Sequence, residues 1–306
     1  MLDLPKSILV EDEALRDGLQ NEKRLFSVAE KRDLAIAIAD AGVRRVQVGS
    51  FVSPKWAPQM ANTDELFAAL PQRPGVTWSG LVLNRAGLDR ALAVGAKHLS
   101  ISVSASETHS RKNANKSVDA ALADILPTIE RALGEGIAVR AGIQSALGCG
   151  YEGAIDPQQV LRIARLYRDV GVREINVADT AGLADPQLVH RVCALLRDEL
   201  GEAVTLSLHL HDTRGLGLAN MLAGLQAGVT VFDAAVGGLG GCPFIPAATG
   251  NIASEDAVFA LERMGVATGI DWTQLRAVAL RLAEMLGRKL PSRMAYIDGG
   301  PQGARA

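Results

Sequence analysis

The stretch Asp169 to Asp179, DVGVREINVAD, contains the unit on which the 306-residue chain is built. A glycine closes a helix by supplying the left-handed cap, and the chain turns at once into a short β-branched apolar run. The same phrase recurs as DAGVRR (40–45), AVGAKH (93–98), GEGIAV (134–139) and QAGVTV (226–231). Five copies imply a repeating βα unit. Working outward from them, eight runs read as strands: ILVEDEAL (8–15), RRVQVGSF (44–51), VTWSGLVL (76–83), KHLSISVSA (97–105), AVRAGIQSA (138–146), REINVAD (173–179), VTLSLHLH (204–211) and VTVFDAAV (229–236). Helix-compatible stretches such as Val28 to Ala41 and Pro157 to Val170 follow the first seven.

That alternation predicts an α/β chain, a (β/α)8 TIM barrel, whose usual length of about 250 residues leaves room for a C-terminal helical extension. An open doubly wound sheet is the runner-up. The barrel is preferred because residues suited to chemistry end the first, seventh and eighth units, which only closure makes neighbours. Beyond the eighth strand come an uncharged glycine-rich loop, a helix near Ser254 to Met264 and a helical stretch near Trp272 to Leu290. No Pro/Gly/Ser linker divides the chain. It reads as one domain, with the catalytic barrel over 1–270 and a C-terminal helix and loose tail, GGPQGARA, over 271–306.

Apolar residues make up 48% and charged residues 22%, which excludes a disordered chain or a coiled coil. Thirty-two Lys+Arg against thirty-four Asp+Glu leave −2, without the basic surplus of a nucleic-acid partner. No apolar run approaches the roughly 20 residues that span a bilayer, and the start MLDLPKSILV does not resemble a secretory signal, so the expectation is a cytoplasmic protein with no membrane partner. Cys149, Cys193 and Cys242 are odd in number and unevenly spaced, which fits reduced thiols better than a disulfide framework.

The strongest local signal is VTLSLHLHD. Alternation puts Thr205, Ser207, His209 and His211 on one face of the strand and leucines on the other, and His-x-His on a covered inner strand suits a single metal ion. The alternative is a half-exposed antiparallel strand with its polar side in water. ALRDGLQNEK ends the first strand with Arg16 and Asp17; barrel closure would bring Asp17 to the imidazoles, giving mixed N/O ligands suited to a catalytic Mg²⁺ or Mn²⁺. Otherwise the pair is a helix cap or a surface ion pair. The third signal is Gly237 to Asn251, where four glycines run up to Cys242 on an uncharged loop after the eighth strand. Cys149 reads as packed, Cys193 as core, and His98, His109 and His190 as structural.

Together, RDGLQNEK, SFVSPKWAPQMA, SALGCGYEG, HLHDTRGLGLAN, GLGGCP and GNIASED resemble the 3-hydroxy-3-methylglutaryl-CoA lyase family, within the metal-dependent lyase and synthase superfamily built on the TIM barrel. The likeness covers roughly Ile8 to Met264. It implies that Asp17, His209, His211 and Asn251 bind a divalent metal, Mg or Mn, that Arg16 stabilises a thioester enolate, and that Cys242 is the acid. Asp17 or His209 would be the base, and Lys23 would meet the CoA phosphates. The implied reaction cleaves a tertiary 3-hydroxyacyl-CoA to acetyl-CoA and a keto acid such as acetoacetate, in a homo-oligomer of two or more subunits.

Three departures stand out. Where the family has a glutamate on the second strand, in a phrase like VEVTSFVSPKW, this chain has Gln47, at a position expected to meet the substrate. HDTRGLGLAN carries Arg214, Leu216 and Gly217 at altered positions, and the loop after GGCP reads FIPAATGN. The loss of a charge near the substrate leaves room for a related thioester such as citramalyl-CoA. A condensing enzyme, a pyruvate-type aldolase and a non-catalytic metal- or CoA-binding barrel are the competing readings.

Overall fold

The structure is a computed structural model that describes residues 4–241 and 250–297. The expectations for Cys242 and for the tail lie outside those residues. Eight parallel strands pair in chain order and close on themselves: β1 (Leu9–Asp12), β2 (Arg45–Ser50), β3 (Thr77–Val82), β4 (His98–Ser104), β5 (Ala138–Gln144), β6 (Glu174–Asp179), β7 (Thr205–Leu210) and β8 (Val231–Ala234). The closing seam runs from Leu9 opposite Val231 to Asp12 opposite Ala234. This is the (β/α)8 barrel, and closure excludes the open sheet.

The helices are α1 (Val28–Asp40), α2 (Thr63–Ala69), α3 (Arg85–Ala93), α4 (Glu107–Ala114), α5 (Val118–Gly134), α6 (Pro157–Asp169), α7 (Pro186–Leu200), α8 (Gly217–Gln226), α9 (Ser254–Arg263) and α10 (Trp272–Leu286). Their starts follow local chemistry. Ser27 and Glu30 form a reciprocal cap on α1, and Asp156 and Asp185 cap α6 and α7 ahead of a first-turn proline. The five repeated glycines all adopt positive φ, between 71° and 103°, as the helix-to-strand turn requires. Two expected elements run too far. The first strand stops at Asp12 because Ala14–Gly18 coils into a π-helical turn, and α10 ends at Leu286, where Gly287 takes the left-handed conformation.

The apolar core lies between sheet and helices. Val46, Val48, Leu99, Ile101, Val139, Ile143, Ile175, Val177, Leu206 and Leu208 are all buried there. The barrel interior is the reverse of the usual packing by branched apolar side chains: it is filled by Glu11, Glu13, Arg45, Gln47, Ser79, His98, Ser100, Arg140, Asn176, Ser207 and Asp233, all buried. At one end Arg45 contacts Glu11 (2.6 Å), Glu174 (2.7 Å) and His98 (3.0 Å), and burial lowers the His98 pKa to about 4, so that this imidazole is neutral. No helix among the described residues is long and apolar enough to cross a membrane.

Candidate active site

The first unit is fixed to the last by Asp12. Its carboxylate accepts from the Ala14 amide (2.9 Å), the Val236 amide (2.9 Å) and the Ser254 hydroxyl (2.6 Å), so the turn carrying Arg16 and Asp17 is tied to the segment after β8. Burial raises the Asp12 pKa to about 6 in spite of these three donors. On the other side, His209 is the penultimate residue of β7, and His211, just past its end, pairs in an antiparallel bridge with Asn251. The two stems of the loop after β8 touch at Gly240 and Gly250, where a Cβ on Gly250 would lie 2.4 Å from the Gly240 carbonyl carbon. A side chain there would force the stems apart.

These constraints bring Asp17, His209, His211 and Asn251 together. The two Nε2 atoms of His209 and His211 lie 3.1 Å apart, and Asp17 Oδ2 is 3.7 Å from His211 Nε2. One ligand atom each from Asp17, His209 and His211 lies within 4.8 Å of the others. The Asn251 amide donates to Asp17 (2.8 Å) and to the Leu239 carbonyl (3.0 Å), which leaves its buried Oδ1 without a hydrogen-bond partner among the described residues. Two facing imidazole nitrogens, a carboxylate and an orphaned amide oxygen form a donor set suited to a divalent cation.

The surrounding charges agree. Glu11, Glu13, Asp17, Glu174 and Asp233 stand against Arg16, Arg45 and Arg140, an excess of two negative charges. His209 feels that excess: burial lowers its pKa, but the Asp233 hydrogen bond (3.2 Å) and the charges of Glu13, Asp17 and Asp233 outweigh this and raise it to about 9. Because Asp233 engages Nδ1, Nε2 is the nitrogen left to face the shared point. Asp17 is held well below the ordinary carboxylate range, because Arg16 and the two imidazoles outweigh its burial.

Arg16 is gripped on three sides, by Glu13 at Nη2, by Asp17 at Nη1 and by the Gln47 carbonyl at Nε. Gln47 itself is fully buried. Its amide nitrogen donates to Glu13 (3.1 Å) and Ser100 (3.0 Å) and lies 3.4 Å from Glu11. The charge expected to be missing at Gln47 is thus present next to it, on Glu13. Lys23 is exposed on the segment leading to α1 and makes none of these contacts. Cys149 accepts from the Ser106 hydroxyl at 3.0 Å, and Cys193 is buried on α7.

The sequence reading missed Glu13, Arg140 and Asp233. Arg140 Nη2 contacts Glu13 at 2.6 Å, Nη1 pairs with Asp233 and lies 2.9 Å from Glu11, and Nε donates to Ser100 at 2.9 Å. Glu13, His209 and Asp233 form a second group of converging ligand atoms, but the Arg140 guanidinium already supplies the cation to both carboxylates. The signal was available: the polar alternation noted in VTLSLHLH also runs through RVQVG, HLSIS and VRAGIQ. Of the altered HDTRGLGLAN positions, Arg214 donates to the carbonyls of Ala181 and Gly182, bridging the ends of β6 and β7. Gly217 gives room to Ile252, which a Cβ would approach to 2.7 Å. Leu216 is exposed, and nothing in the structure explains its choice.

Comparison with known proteins matches residues 8–281 to the HMGL-like family. This chain belongs to the HMGL-like family. An HMGL-like relative from Pseudomonas aeruginosa, named 3-hydroxy-3-isohexenylglutaryl-CoA/hydroxy-methylglutaryl-CoA lyase, is 40% identical, covering 96% of this chain and 98% of its own. The crystal structure of the Bacillus subtilis HMG-CoA lyase superposes with a TM-score of 0.93 at 36% identity, over 96% of this chain and 98% of the other. That of an HMG-CoA lyase from Acinetobacter baumannii, in complex with coenzyme A and 3-methylmalate, gives 0.92 at 34% identity over 99% and 100%.

Proposed function

We propose that this protein is a divalent-metal-dependent carbon-carbon lyase that cleaves 3-hydroxy-3-methylglutaryl-CoA to acetyl-CoA and acetoacetate. The observation that carries the reading is the convergence of Asp17, His209, His211 and Asn251 beside the buried cation Arg16. Those four residues would hold the metal, and their mix of hard oxygen and imidazole donors suits Mg²⁺ or Mn²⁺. When bound, a divalent cation lowers the pKa of the C3 hydroxyl and orients the carboxyl arm.

The chain's own residues supply the rest. The C3 hydroxyl loses its proton to one of the two bases at that point, Asp17 or His209. The C2–C3 bond breaks, C3 becomes the ketone of acetoacetate, and the bonding pair passes to C2 as the enolate of acetyl-CoA. Arg16, pinned by three acceptors, faces that developing charge without having to reorganise. Cys242 returns a proton to C2, which balances the proton removed from oxygen. Lys23 is assigned to the CoA phosphates, where an exposed ammonium on the mouth segment meets an anion at little desolvation cost.

The test is incubation of purified protein with a panel of 3-hydroxyacyl-CoA thioesters bearing methyl, isohexenyl or carboxyl substituents at C3, with Mg²⁺, with Mn²⁺ and with chelator. Release of acetyl-CoA from the methylglutaryl thioester, lost with chelator, is the expected result. No metal-dependent release from any of them removes the lyase reading and leaves a binding barrel, while preference for a bulkier or more polar branch moves the assignment to that thioester.

A further inference from the structure

The interior carries one charge arrangement that the lyase reading does not use. Glu13 is wholly buried and accepts three donors: Arg16 Nη2 on one oxygen, and Arg140 Nη2 (2.6 Å) and Gln47 Nε2 (3.1 Å) on the other. A guanidinium on each oxygen leaves no place for an amide nitrogen, since an amide at position 13 would face one of the two arginines donor to donor. The carboxylate is required by its neighbours.

Gln47 is constrained in turn. Its carbonyl faces Arg16 Nε, so its amide nitrogen is the atom turned toward Glu13, Glu11 and Ser100. A carboxylate at position 47 would set an oxygen about where that nitrogen donates now, close to two buried carboxylates. Like charges at such separations repel strongly in a site closed to water.

We propose that Glu13 and Gln47 form a matched pair that positions Arg16, with Glu13 supplying the buried negative charge from just past the first strand and position 47 confined to a neutral residue because of it. Glu13 is a positioning residue: it touches no reacting atom and acts through the guanidinium. This rests on the lyase reading, in which Arg16 meets charge that develops only in the transition state. Misplacing it should lower kcat and leave KM little changed.

The test is a mutant cycle on the metal-loaded enzyme: wild type, Glu13→Gln, Gln47→Glu and the double variant. Each is measured for kcat and KM on the preferred thioester, for metal content by elemental analysis, and for Tm. Each single change is expected to lower kcat by about 10- to 100-fold with metal content kept, and the double variant to exceed the product of the two losses by at least about tenfold, since the repulsion at position 47 needs the charge at 13. The Tm values should show the same non-additivity, which gives a readout apart from turnover. Glu13→Asp covers the case in which Gln47→Glu does not fold: it keeps the charge, withdraws it by one methylene, and should lower kcat several-fold with KM unchanged. Full activity in Glu13→Asp or Gln47→Glu, or simple additivity in the cycle, overturns the pairing. A wild type without turnover overturns the lyase reading and the positioning role with it, so the two failures are distinguishable.

Discussion

Glu255 lies in the first turn of α9 with no exposed surface, and both its oxygens lie 3.1 Å from the Gly237 amide. Burial raises its pKa from 4.5 to about 7, and neither its hydrogen bonds nor the start of the helix cancels that effect. A carboxyl group whose pKa is raised by folding binds its proton more tightly in the folded state. It therefore favours the fold at acid pH, and that contribution is lost as pH rises from about 4.5 to about 7. A shift of some 2.5 units corresponds to about 3 kcal/mol as an order of magnitude. With an unfolding entropy of about 2.1 cal/mol/K per residue over 306 residues, this is a Tm change of about 5 °C. Glu255→Gln keeps an acceptor for Gly237 and cannot ionise. Its Tm relative to wild type should therefore rise by about 4–5 °C between pH 5 and pH 8. Thermal unfolding followed by circular dichroism at the two pH values, with metal concentration held constant, measures this directly. The same Tm difference at both pH values would refute the reasoning, because the carboxyl would then titrate in the folded protein as it does in the unfolded chain.

Three further outcomes are expected. His209→Ala and Asp17→Ala should each lose bound divalent metal by elemental analysis, and full occupancy in both would remove these residues from the site. Cys242→Ser should lower turnover by roughly 10²–10⁴ with thioester affinity nearly unchanged, as expected on losing a proton donor; unaltered turnover would exclude Cys242 from the chemistry. In Gly250→Ala the added methyl would meet Gly240 at 2.4 Å and displace the segment that presents Asn251, so metal affinity by titration calorimetry should weaken by about 10- to 100-fold. Wild-type affinity there would mean that Asn251 is not positioned by this contact.

The barrel was legible because its punctuation is local. A glycine at the end of each helix and a β-branched run after it mark a strand without reference to any other part of the chain. Errors arose where tertiary contacts decide. ILVEDEAL reads as one strand through Leu15, but Asp12 binds the Ala14 amide and Ser254, 242 residues away, and the chain coils at that point. In the site, His209 and His211 drew notice through a short local pattern, Asp17 through the closure that the repeat implied and Asn251 only through the family resemblance; the structure brings the four together. Gln47 was not legible, because its meaning depends on a residue 34 positions away, just past the end of the neighbouring strand. Taken alone it reads as a lost charge; beside Glu13 it is the donor which that charge requires. The register between β1 and β2 supplies this information, and no stretch of either strand contains it.

The contact between Gly240 and Gly250 divides the chain at the barrel mouth into two parts with different freedom to vary. Both stems return to one point beside Asp17, and Asn251 is fixed from there by Leu239 and His211. The root from which the loop leaves and to which it returns is thus closed by backbone contact alone. Changes between positions 243 and 249, which spare Cys242, can therefore be tried without rebuilding the ligand cluster. For an engineer grafting a loop from a relative, that root makes the loop an exchangeable part and leaves the ligand cluster as the inherited one.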